Sequence, residues 1–393
     1  MEFSLFYFAD DASANHPPRS PKHAAAAADH GVPDHGAPNH AAPDHGAPNH
    51  AAADHGAPDP REVGKYRLLL DGARIADREG LCAIWTPERH FNRFGGLYPN
   101  PALAGAAIAS ITERVQIRAG SIVAPLHDPI RIVEDWSVVD NLSGGRVGMS
   151  FASGWHATDF VLRPEAYEHR RRQVTESVEE VRRLWCGEAL DAKDGGGRQV
   201  AVSAFPAPVQ SMPRMWLTAA GSPETFRAAG ELNVGLLTYL LGQEREELAD
   251  KIREYRAAVR RASGNSWSGH VVAMVPTYLD ATPELARERV SGALHAYLTS
   301  SFRLIAGSLR RGAAKLDPAT LSPADVDAIV SRSLDHYYDN YALFGTVAQA
   351  VDAAERLAGI GIDEIACLID FGVDPEHALA GIPRIAELGR EFA

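Results

Sequence analysis

The sequence predicts a (β/α)8 TIM barrel, an α/β fold, and three observations support this prediction. Short β-branched or apolar runs alternate with longer segments of helical periodicity along most of the chain. The alternation repeats eight times, and right-handed parallel crossovers favour a closed barrel over an open sheet. The length of 393 residues suits such a barrel with insertions, so a single domain over residues 1–393 is expected.

Eight segments have the composition of buried parallel strands, since each is a short apolar or β-branched run. In chain order they are residues 2–8, 81–86, 115–123, 146–152, 215–219, 234–240, 270–279 and 364–370. The segments between them show helical periodicity over residues 62–79, 101–112, 130–142, 166–185, 223–232, 244–262, 282–308, 346–358 and 376–390. Because extra helices lie between residues 279 and 364, a helical insertion is predicted before the eighth strand.

A repeat interrupts the pattern after the first strand. Residues 29–58 form six pentads, DHGVP DHGAP NHAAP DHGAP NHAAA DHGAP, whose only bulky aliphatic residue is Val32. Such a tract cannot offset its ordering entropy by burial, so residues 11–61 are predicted to be a disordered, low-complexity insertion rich in His, Pro, Ala and Gly. The insertion holds half of the 16 histidines, but a spacing of five on a flexible chain defines no ligand geometry. A solvated linker is therefore favoured over a metal-binding segment, and no metal site is predicted.

Composition excludes several classes of partner. Acidic residues outnumber basic ones by 51 to 39 and no Lys/Arg block occurs, so neither nucleic acid nor an anionic membrane is an expected partner. The three cysteines are far apart and form no CxxC pair, which fits a reducing compartment. No apolar run approaches the roughly 20 residues of a membrane span, and no signal peptide is recognisable at the N-terminus. A cytoplasmic protein that binds small molecules or other proteins is expected.

An acid, a cation and a base follow the second strand in the segment WTPERHF. They are Glu88, Arg89 and His90, and in barrels of this class the chemistry lies on loops after the strand carboxyl ends. These residue types suit proton transfer and charge stabilisation. A local Glu88–Arg89 pair with His90 capping a turn explains the pattern equally well, so position alone favours neither interpretation.

The loops after the third and fourth strands carry weaker signals. His127 is a weak candidate by itself, because Asp128 and Pro129 beside it are explained as the cap and first residue of a helix. After the fourth strand, Ser153 and Gly154 allow a ligand to approach backbone amides.

A glycine-serine turn opens a helix after the fifth strand. Gly221 and Ser222 precede Pro223, which suits the first helical position, and Thr225 lies three residues after Ser222. Unpaired amides, the positive end of the helix dipole and two hydroxyls make this turn suitable for an anion. As a local pattern, an ordinary capped helix is favoured over an anion site.

Several of these segments resemble one enzyme family. Three segments within residues 81–160 resemble the luciferase-like monooxygenases, which include bacterial luciferase and the alkanesulfonate monooxygenases. These segments are WTPERHF, GSIVAPLHDPIRIVEDWSVVDNLSGGR and SFASGW. The resemblance extends through AAGSPETFRAAGELNVGLLT and GTVAQAVDAAERLAGIGIDEIACLIDFG. WTPERHF and SFASGWHATDF further resemble the branch associated with polyketide and nonribosomal peptide assembly lines. The family implies a flavin-dependent barrel enzyme.

The resemblance assigns flavin-binding roles on two loops. Ser121 lies where the family's backbone packs against the isoalloxazine ring, often with a cis peptide, here Gly120–Ser121. Ser153 and Gly154 fall on a flavin-phosphate loop, although bacterial luciferase has an arginine where Ser153 stands here.

The resemblance also assigns cofactor contacts further along the chain. Gly221, Ser222 and Thr225 match the family's second phosphate segment, which tips the local interpretation of that turn towards phosphate binding. Tyr167 and Arg170 lie where related enzymes place flavin-contacting side chains.

The family's catalytic histidine pair is half present. Members of the EHHF type have two histidines after the glutamate, and Arg89 stands at the first of these positions here. His90 is then the expected catalytic acid or base, Arg89 the cation that stabilises negative charge, and Glu88 the third catalytic candidate. Trp155 and His156 are expected in the substrate wall.

The resemblance implies a monooxygenase that uses reduced FMN, supplied by a separate flavin reductase, and O2 as co-substrate. The expected substrate is a small molecule or an intermediate of natural product biosynthesis tethered to an acyl or peptidyl carrier protein, and a homo-oligomer is expected. Three alternatives stay open: a deazaflavin-dependent oxidoreductase on the same barrel, a non-catalytic flavin-binding partner subunit, and a metal-binding role for the histidine tract.

Overall fold

Eleven strands occur in the residues that the computed structural model describes, which are 1–8, 64–91, 96–154, 156–219, 221–240, 243–309 and 321–393. They are β1 (Glu2–Phe6), β2 (Ala83–Thr86), β3 (Gln116–Val123), β4 (Val147–Ala152), β5 (Leu190–Lys193), β6 (Gln199–Val202), β7 (Arg214–Thr218), β8 (Gly235–Tyr239), β9 (Val271–Leu279), β10 (Leu343–Gly345) and β11 (Glu364–Leu368). The predicted low-complexity insertion at residues 11–61 and the predicted wall residue Trp155 lie outside the described residues.

Ten α-helices occur in the same ranges. They are α1 (Arg67–Glu79), α2 (Pro101–Ala109), α3 (Pro129–Ser143), α4 (Arg170–Trp185), α5 (Pro223–Glu231), α6 (Arg245–Ala262), α7 (Pro283–Leu309), α8 (Pro323–Asn340), α9 (Val347–Gly359) and α10 (Pro375–Arg390). Within these ranges, none combines the length and the apolar composition needed to cross a membrane.

Eight of the strands close into a parallel barrel. The order around it is β1, β2, β3, β4, β7, β8, β9, β11 and back to β1, and each neighbouring pair is parallel. The closure between β8 and β9 runs from Leu236 beside Val271 to Tyr239 beside Met274. The predicted (β/α)8 barrel is therefore confirmed.

Three further strands were not predicted. β5 and β6 form an antiparallel hairpin between α4 and β7, in which the Asp194 carboxylate accepts the backbone N–H of Gly196 and of Arg198. β10 has only three residues and pairs with the last residues of β9. Such short strands contain too few residues for an alternating pattern to stand out.

The helical insertion before the last barrel strand is present as α7 and α8, followed by β10. Its two ends meet, because the Asp280 N–H donates to the Gly345 carbonyl at 2.8 Å. Tyr297 on α7 packs against Phe371, which follows β11, with ring centroids 6.2 Å apart. The insertion therefore contacts the carboxyl-terminal end of the barrel.

A buried ion pair fills the opposite end of the barrel interior. Arg118 Nη1 lies 2.7 Å from Glu364 Oε2, and the guanidinium lies 5.0 Å and 4.8 Å from the rings of Trp85 and Trp216. Burial opposes ionisation of Glu364, but Arg118 and His270 outweigh it and hold the pKa of this carboxyl below its ordinary value. This end of the barrel is closed by paired charges and aromatic rings.

Candidate active site

Glu88 accepts three hydrogen bonds at the carboxyl-terminal end of β2. Its Oε1 lies 2.8 Å from His90 Nε2 and 2.7 Å from His127 Nε2. Its Oε2 accepts the backbone N–H of Val123 at 2.7 Å. The Glu88 side chain is completely buried, so these contacts replace its hydration.

The hydrogen bonds decide the charge of this carboxylate. Burial alone raises the pKa of Glu88, but the contacts with His127 and His90 and the Val123 amide outweigh burial and hold it below its ordinary value. Burial lowers the pKa of His127, but the hydrogen bond to Glu88 and its negative charge raise it by more. The pKa of His127 therefore lies above its ordinary value. Glu88 is therefore ionised at neutral pH.

An ionised carboxylate determines which nitrogen of each ring carries hydrogen. Since such a group only accepts hydrogen bonds, Nε2 of both His90 and His127 must donate to Glu88. We assign the tautomers from this network, as Nδ1 is then the atom at which each ring gains or loses a proton. The local alternative, in which Glu88 pairs with Arg89, is replaced by this three-residue group.

Arg89 contacts a different part of the structure from Glu88. Its guanidinium carbon lies 5.5 Å from the centroid of the Phe8 ring, and its backbone N–H donates to the Tyr98 carbonyl at 2.9 Å. Burial lowers the pKa of Arg89, and the charges of Asp159 and Tyr297 act in the opposite direction. The predicted cation, Arg89, therefore lies beside Phe8, which follows β1, at the carboxyl-terminal end of the barrel, which we call the barrel mouth.

Asp159 lies close to Arg89 and was not predicted. Its buried carboxylate is 3.9 Å from His156 Nδ1. Burial raises the pKa of Asp159, which the nearby Arg89, His156 and His90 only partly offset. The predicted wall residue His156 therefore belongs to a second acid–histidine contact beside the first.

A cavity of about 140 Å³ lies between α4 and α5. This is smaller than the roughly 300–1,000 Å³ of sites that enclose a whole ligand, and suits a terminal group. Its lining consists of hydroxyl, charged and apolar side chains from the loop after β4, from α4, from β7 and from α5 with its N-cap residue: Ser153, Arg171, Val174, Thr175, Leu217, Thr218, Ser222, Glu224, Thr225 and Ala228. Three predicted phosphate residues, Ser153, Ser222 and Thr225, are thus brought together.

An anionic side chain shares this cavity. Ser222 precedes α5 but makes no side-chain capping bond, and its hydroxyl donates to Glu224 Oε2 at 2.5 Å. That hydrogen bond is the main reason why the pKa of Glu224 is lowered, and Arg227 and Arg171 add to the effect. A carboxylate therefore lies among the groups that suit an anion.

The remaining predicted cofactor residues lie around these groups. The Gly120–Ser121 peptide is cis, as the resemblance implied, and the Ser121 hydroxyl is hydrogen-bonded to that of Thr218, which lines the cavity. Gly154 has φ +72° and Gly221 has φ +130°, backbone conformations that favour glycine. Neither glycine lines the cavity.

Tyr167 and Arg170 contact each other at the start of α4. The Arg170 guanidinium carbon lies 4.1 Å from the Tyr167 ring centroid, and Nη1 donates to the Tyr167 carbonyl at 2.6 Å. Arg171 and Thr175 line the cavity instead, and sequence analysis missed both. Their spacing of four places them on one helical face, which is the signal that could have identified them.

The amino-terminal end of the barrel brings three potential metal ligands together. Carboxylate oxygens of Glu2 and Glu364 and the Cys82 sulfur lie within 4.8 Å of one another. Glu364 already holds Arg118, and burial raises the pKa of the Cys82 thiol well above its ordinary value. Since metals bind the thiolate, we assign no metal to this group.

Comparison with known proteins decides the family. The family model described as luciferase-like monooxygenase matches residues 40–364. The chain belongs to the luciferase-like monooxygenase family. The oxygenase component of the flavin-dependent trigonelline monooxygenase of Acinetobacter baylyi is 24% identical over 331 residues, which cover 81% of this chain and 88% of that protein.

Solved structures of the family's fold resemble the barrel. Monooxygenase RslO1 from Streptomyces bottropensis has a TM-score of 0.67 and 23% identity, covering 84% of this chain and 94% of that chain. An F420-dependent secondary alcohol dehydrogenase in complex with an F420–acetone adduct has a TM-score of 0.62 and 16% identity, covering 83% and 96%. The fold alone therefore does not choose between a flavin and a deazaflavin.

The chain is a flavin-dependent monooxygenase of this family, and the lining of the small cavity fits the phosphate group of a flavin. The small cavity offers hydroxyls from Ser153, Thr175, Ser222 and Thr225 with the guanidinium of Arg171, which is a donor set for a phosphate group. The acid–base group of Glu88 and His90 lies at the carboxyl-terminal end of the same barrel, where (β/α)8 enzymes carry their chemistry.

Proposed function

We propose that this luciferase-like monooxygenase binds reduced FMN with the phosphate in the cavity between α4 and α5. The observation that carries the proposal is the convergence there of hydroxyls from the loop after β4, from α4 and from the start of α5 with Arg171. The start of α5 adds the positive end of a helix dipole. Bound reduced FMN supplies the electrons with which O2 delivers one oxygen atom to the substrate and the other to water.

The chain's own residues hold charge and move a proton in this proposal. His90 exchanges the proton at Nδ1, because its Nε2 is committed to Glu88. Glu88 stabilises the protonated ring, and Arg89 supplies a fixed positive charge on the other side of the mouth. The insertion helix α7, through Tyr297, contributes to excluding water.

We further propose a separate flavin reductase as partner. The related trigonelline enzyme is named as an oxygenase component, and the same division of labour suits this chain. A cavity that accepts only the terminal phosphate, with a carboxylate inside it, suits a cofactor that is exchanged rather than held permanently.

As substrate we propose an acyl or aminoacyl intermediate tethered to a carrier protein in natural product biosynthesis. The support is the resemblance of WTPERHF and SFASGWHATDF to the assembly-line branch of the family. The acid–base group at the barrel mouth is compatible with a substrate delivered on a flexible arm.

The test begins with the cofactor. Purified chain is titrated with FMN, riboflavin and F420, and FMN is expected to bind more tightly than riboflavin or F420. Reduced FMN, ¹⁸O2 and candidate substrates, free or loaded on carrier protein, are then supplied, and mass spectrometry measures the gain of one ¹⁸O atom. Binding of F420 in place of FMN, with reduction and no oxygen uptake, would establish the deazaflavin alternative. Oxidation of free acids alone would contradict the tethered substrate.

A further inference from the structure

His127 and His90 share one oxygen atom of one carboxylate. Their Nε2 atoms lie 2.7 Å and 2.8 Å from Glu88 Oε1, although 37 residues separate them in the chain. We propose that His127 is a positioning residue for proton transfer at His90, acting through Glu88. This inference rests on the proposed function, in which His90 exchanges the proton.

The Glu88 carboxylate is held in one position and cannot turn towards one ring at a time. Glu88 Oε2 is held by the Val123 amide at 2.7 Å, and the side chain is fully buried. Rotation towards either histidine would cost the amide contact and leave a buried N–H unsatisfied. Both rings therefore interact with the same stationary charge.

A shared stationary charge couples the two rings. A proton on His127 Nδ1 gives a cation that neutralises much of the Glu88 charge felt by His90. A proton on His90 has the same effect on His127 by reciprocity. His127 thus sets how strongly Glu88 favours the protonated form of His90, and thereby the pH range in which His90 exchanges its proton.

Other charged groups face the pair without replacing Glu88. Asp135 on α3 favours the charged form of His127 and Arg163 opposes it, and both act less strongly than Glu88. Asp159 faces His90 together with Arg89. Glu88 is the group common to both rings, so its removal is the direct way to break the coupling.

The arrangement also accounts for the incomplete histidine pair in WTPERHF. Arg89, where EHHF members have the first histidine, points to Phe8. The second ring on Glu88 comes instead from the segment after β3, where Ala124–Leu126 form a short 3-10 turn that directs His127 towards β2. The segment after β3 therefore supplies the second histidine that WTPERHF lacks.

The first measurement needs no turnover. The ring resonances of His127 are followed by NMR against pH in the flavin-free full chain and in His90→Gln, whose side-chain amide still donates to Glu88. We expect a broadened titration in the wild type and a single step in the variant, displaced to higher pH by about one unit. Identical His127 titrations in the two proteins would overturn the proposal. This comparison leaves His127 in place, so it decides even if a His127 variant does not fold.

The second measurement is the pH dependence of kcat/KM for oxygen transfer. His127→Gln keeps a donor for Glu88 but cannot titrate, and His127→Ala removes the donor. In His127→Gln, the ascending limb of the kcat/KM profile is expected to move to higher pH, while FMN affinity stays within twofold of wild type. The loss of rate in His127→Ala is expected to exceed the loss in His127→Gln. His336→Gln, at an exposed position on α8, is the matched control. An unmoved profile would show a structural role only.

The two proposals fail separately. If the wild type binds no FMN or transfers no oxygen, the proposed function fails, while the NMR comparison still reports whether the two rings are coupled. If FMN binds and oxygen is transferred but the rings titrate independently, only the positioning role is wrong.

Discussion

Single residues in the site act through charge, and Glu88 shows this most directly. A buried carboxylate is costly unless hydrogen bonds replace its water, and two histidines and one backbone amide do so here. The local sequence contains Glu88 and His90 but cannot show that His127, 39 residues after Glu88, completes the group. That contact depends on the parallel pairing of β2 with β3, which is a tertiary property.

The pH dependence of stability follows from the His127 shift. Because the folded pKa of His127 is raised above its ordinary value of 6.5, its contribution is fully present below about pH 6.5 and is lost as pH rises through the folded value. The difference in unfolding free energy between wild type and His127→Gln should therefore shrink as the pH is raised from 6 to 9. The pH is changed in steps of about one unit. Urea unfolding at each pH measures it, and a constant difference would contradict the assignment.

Glu224 is expected to weaken phosphate binding. Its carboxylate lies in the cavity and takes the Ser222 hydroxyl that a phosphate would otherwise receive. Glu224→Gln should raise FMN affinity by roughly two- to fivefold, which is the size of a typical interaction between solvent-exposed charges. Riboflavin affinity should be unchanged, because riboflavin has no phosphate. Glu246→Gln is the matched control, since Glu246 occupies the same second position of α6 and lies outside the cavity lining. Weaker FMN binding in Glu224→Gln would mean that Glu224 supports the site.

Among the elements, helix α5 is expected to contribute most to phosphate binding. Ser222 and Thr225 are three residues apart at its start and both line the cavity. Replacing both with Ala should weaken FMN binding by about tenfold or more, taking about 1 kcal/mol for each hydrogen bond. Fluorescence titration measures this, with riboflavin as the phosphate-free reference. Equal losses for both ligands would indicate a damaged fold.

The arginine of the cavity shows where helical patterns stop being informative. Arg170, Arg171 and Arg172 are consecutive, and each faces a direction about 100° from the next. The periodicity of α4 indicates that one face is buried, but the rotation of the helix against the barrel decides which arginine reaches the ligand. The resemblance selected Arg170, and the cavity is lined by Arg171.

Elements with strong local signals were predicted well. The eight barrel strands were found because each is a continuous apolar run followed by turn residues. The predicted cap of α3 is confirmed, since the Asp128 carboxylate accepts the Ile130 N–H at 2.9 Å. β10 escaped prediction because three residues gain their strand geometry from pairing with β9, not from their own composition.

At the scale of the whole molecule, the pentad tract is predicted to be dispensable. It contains almost no bulky apolar side chains, and loop-closure entropy changes slowly with length, so deleting residues 24–58 should change stability little. Thermal unfolding and FMN titration of the deletion variant test this, and both should match the full chain. Loss of cooperative unfolding would show that the tract is structural, and loss of activity alone would favour the metal-binding alternative.

The contact between Asp280 and Gly345 means that the insertion could be replaced as one unit by the insertion of a related protein. The chain leaves the barrel after Asp280 and returns to it at Gly345, and the backbone N of Asp280 and O of Gly345 are 2.8 Å apart. Recombination between homologous genes at these two points would replace α7 and α8 together while leaving the eight-stranded ladder intact. Since α7 carries Tyr297 to the barrel mouth, such an exchange would alter what the mouth admits without altering the residues that hold the cofactor or move the proton.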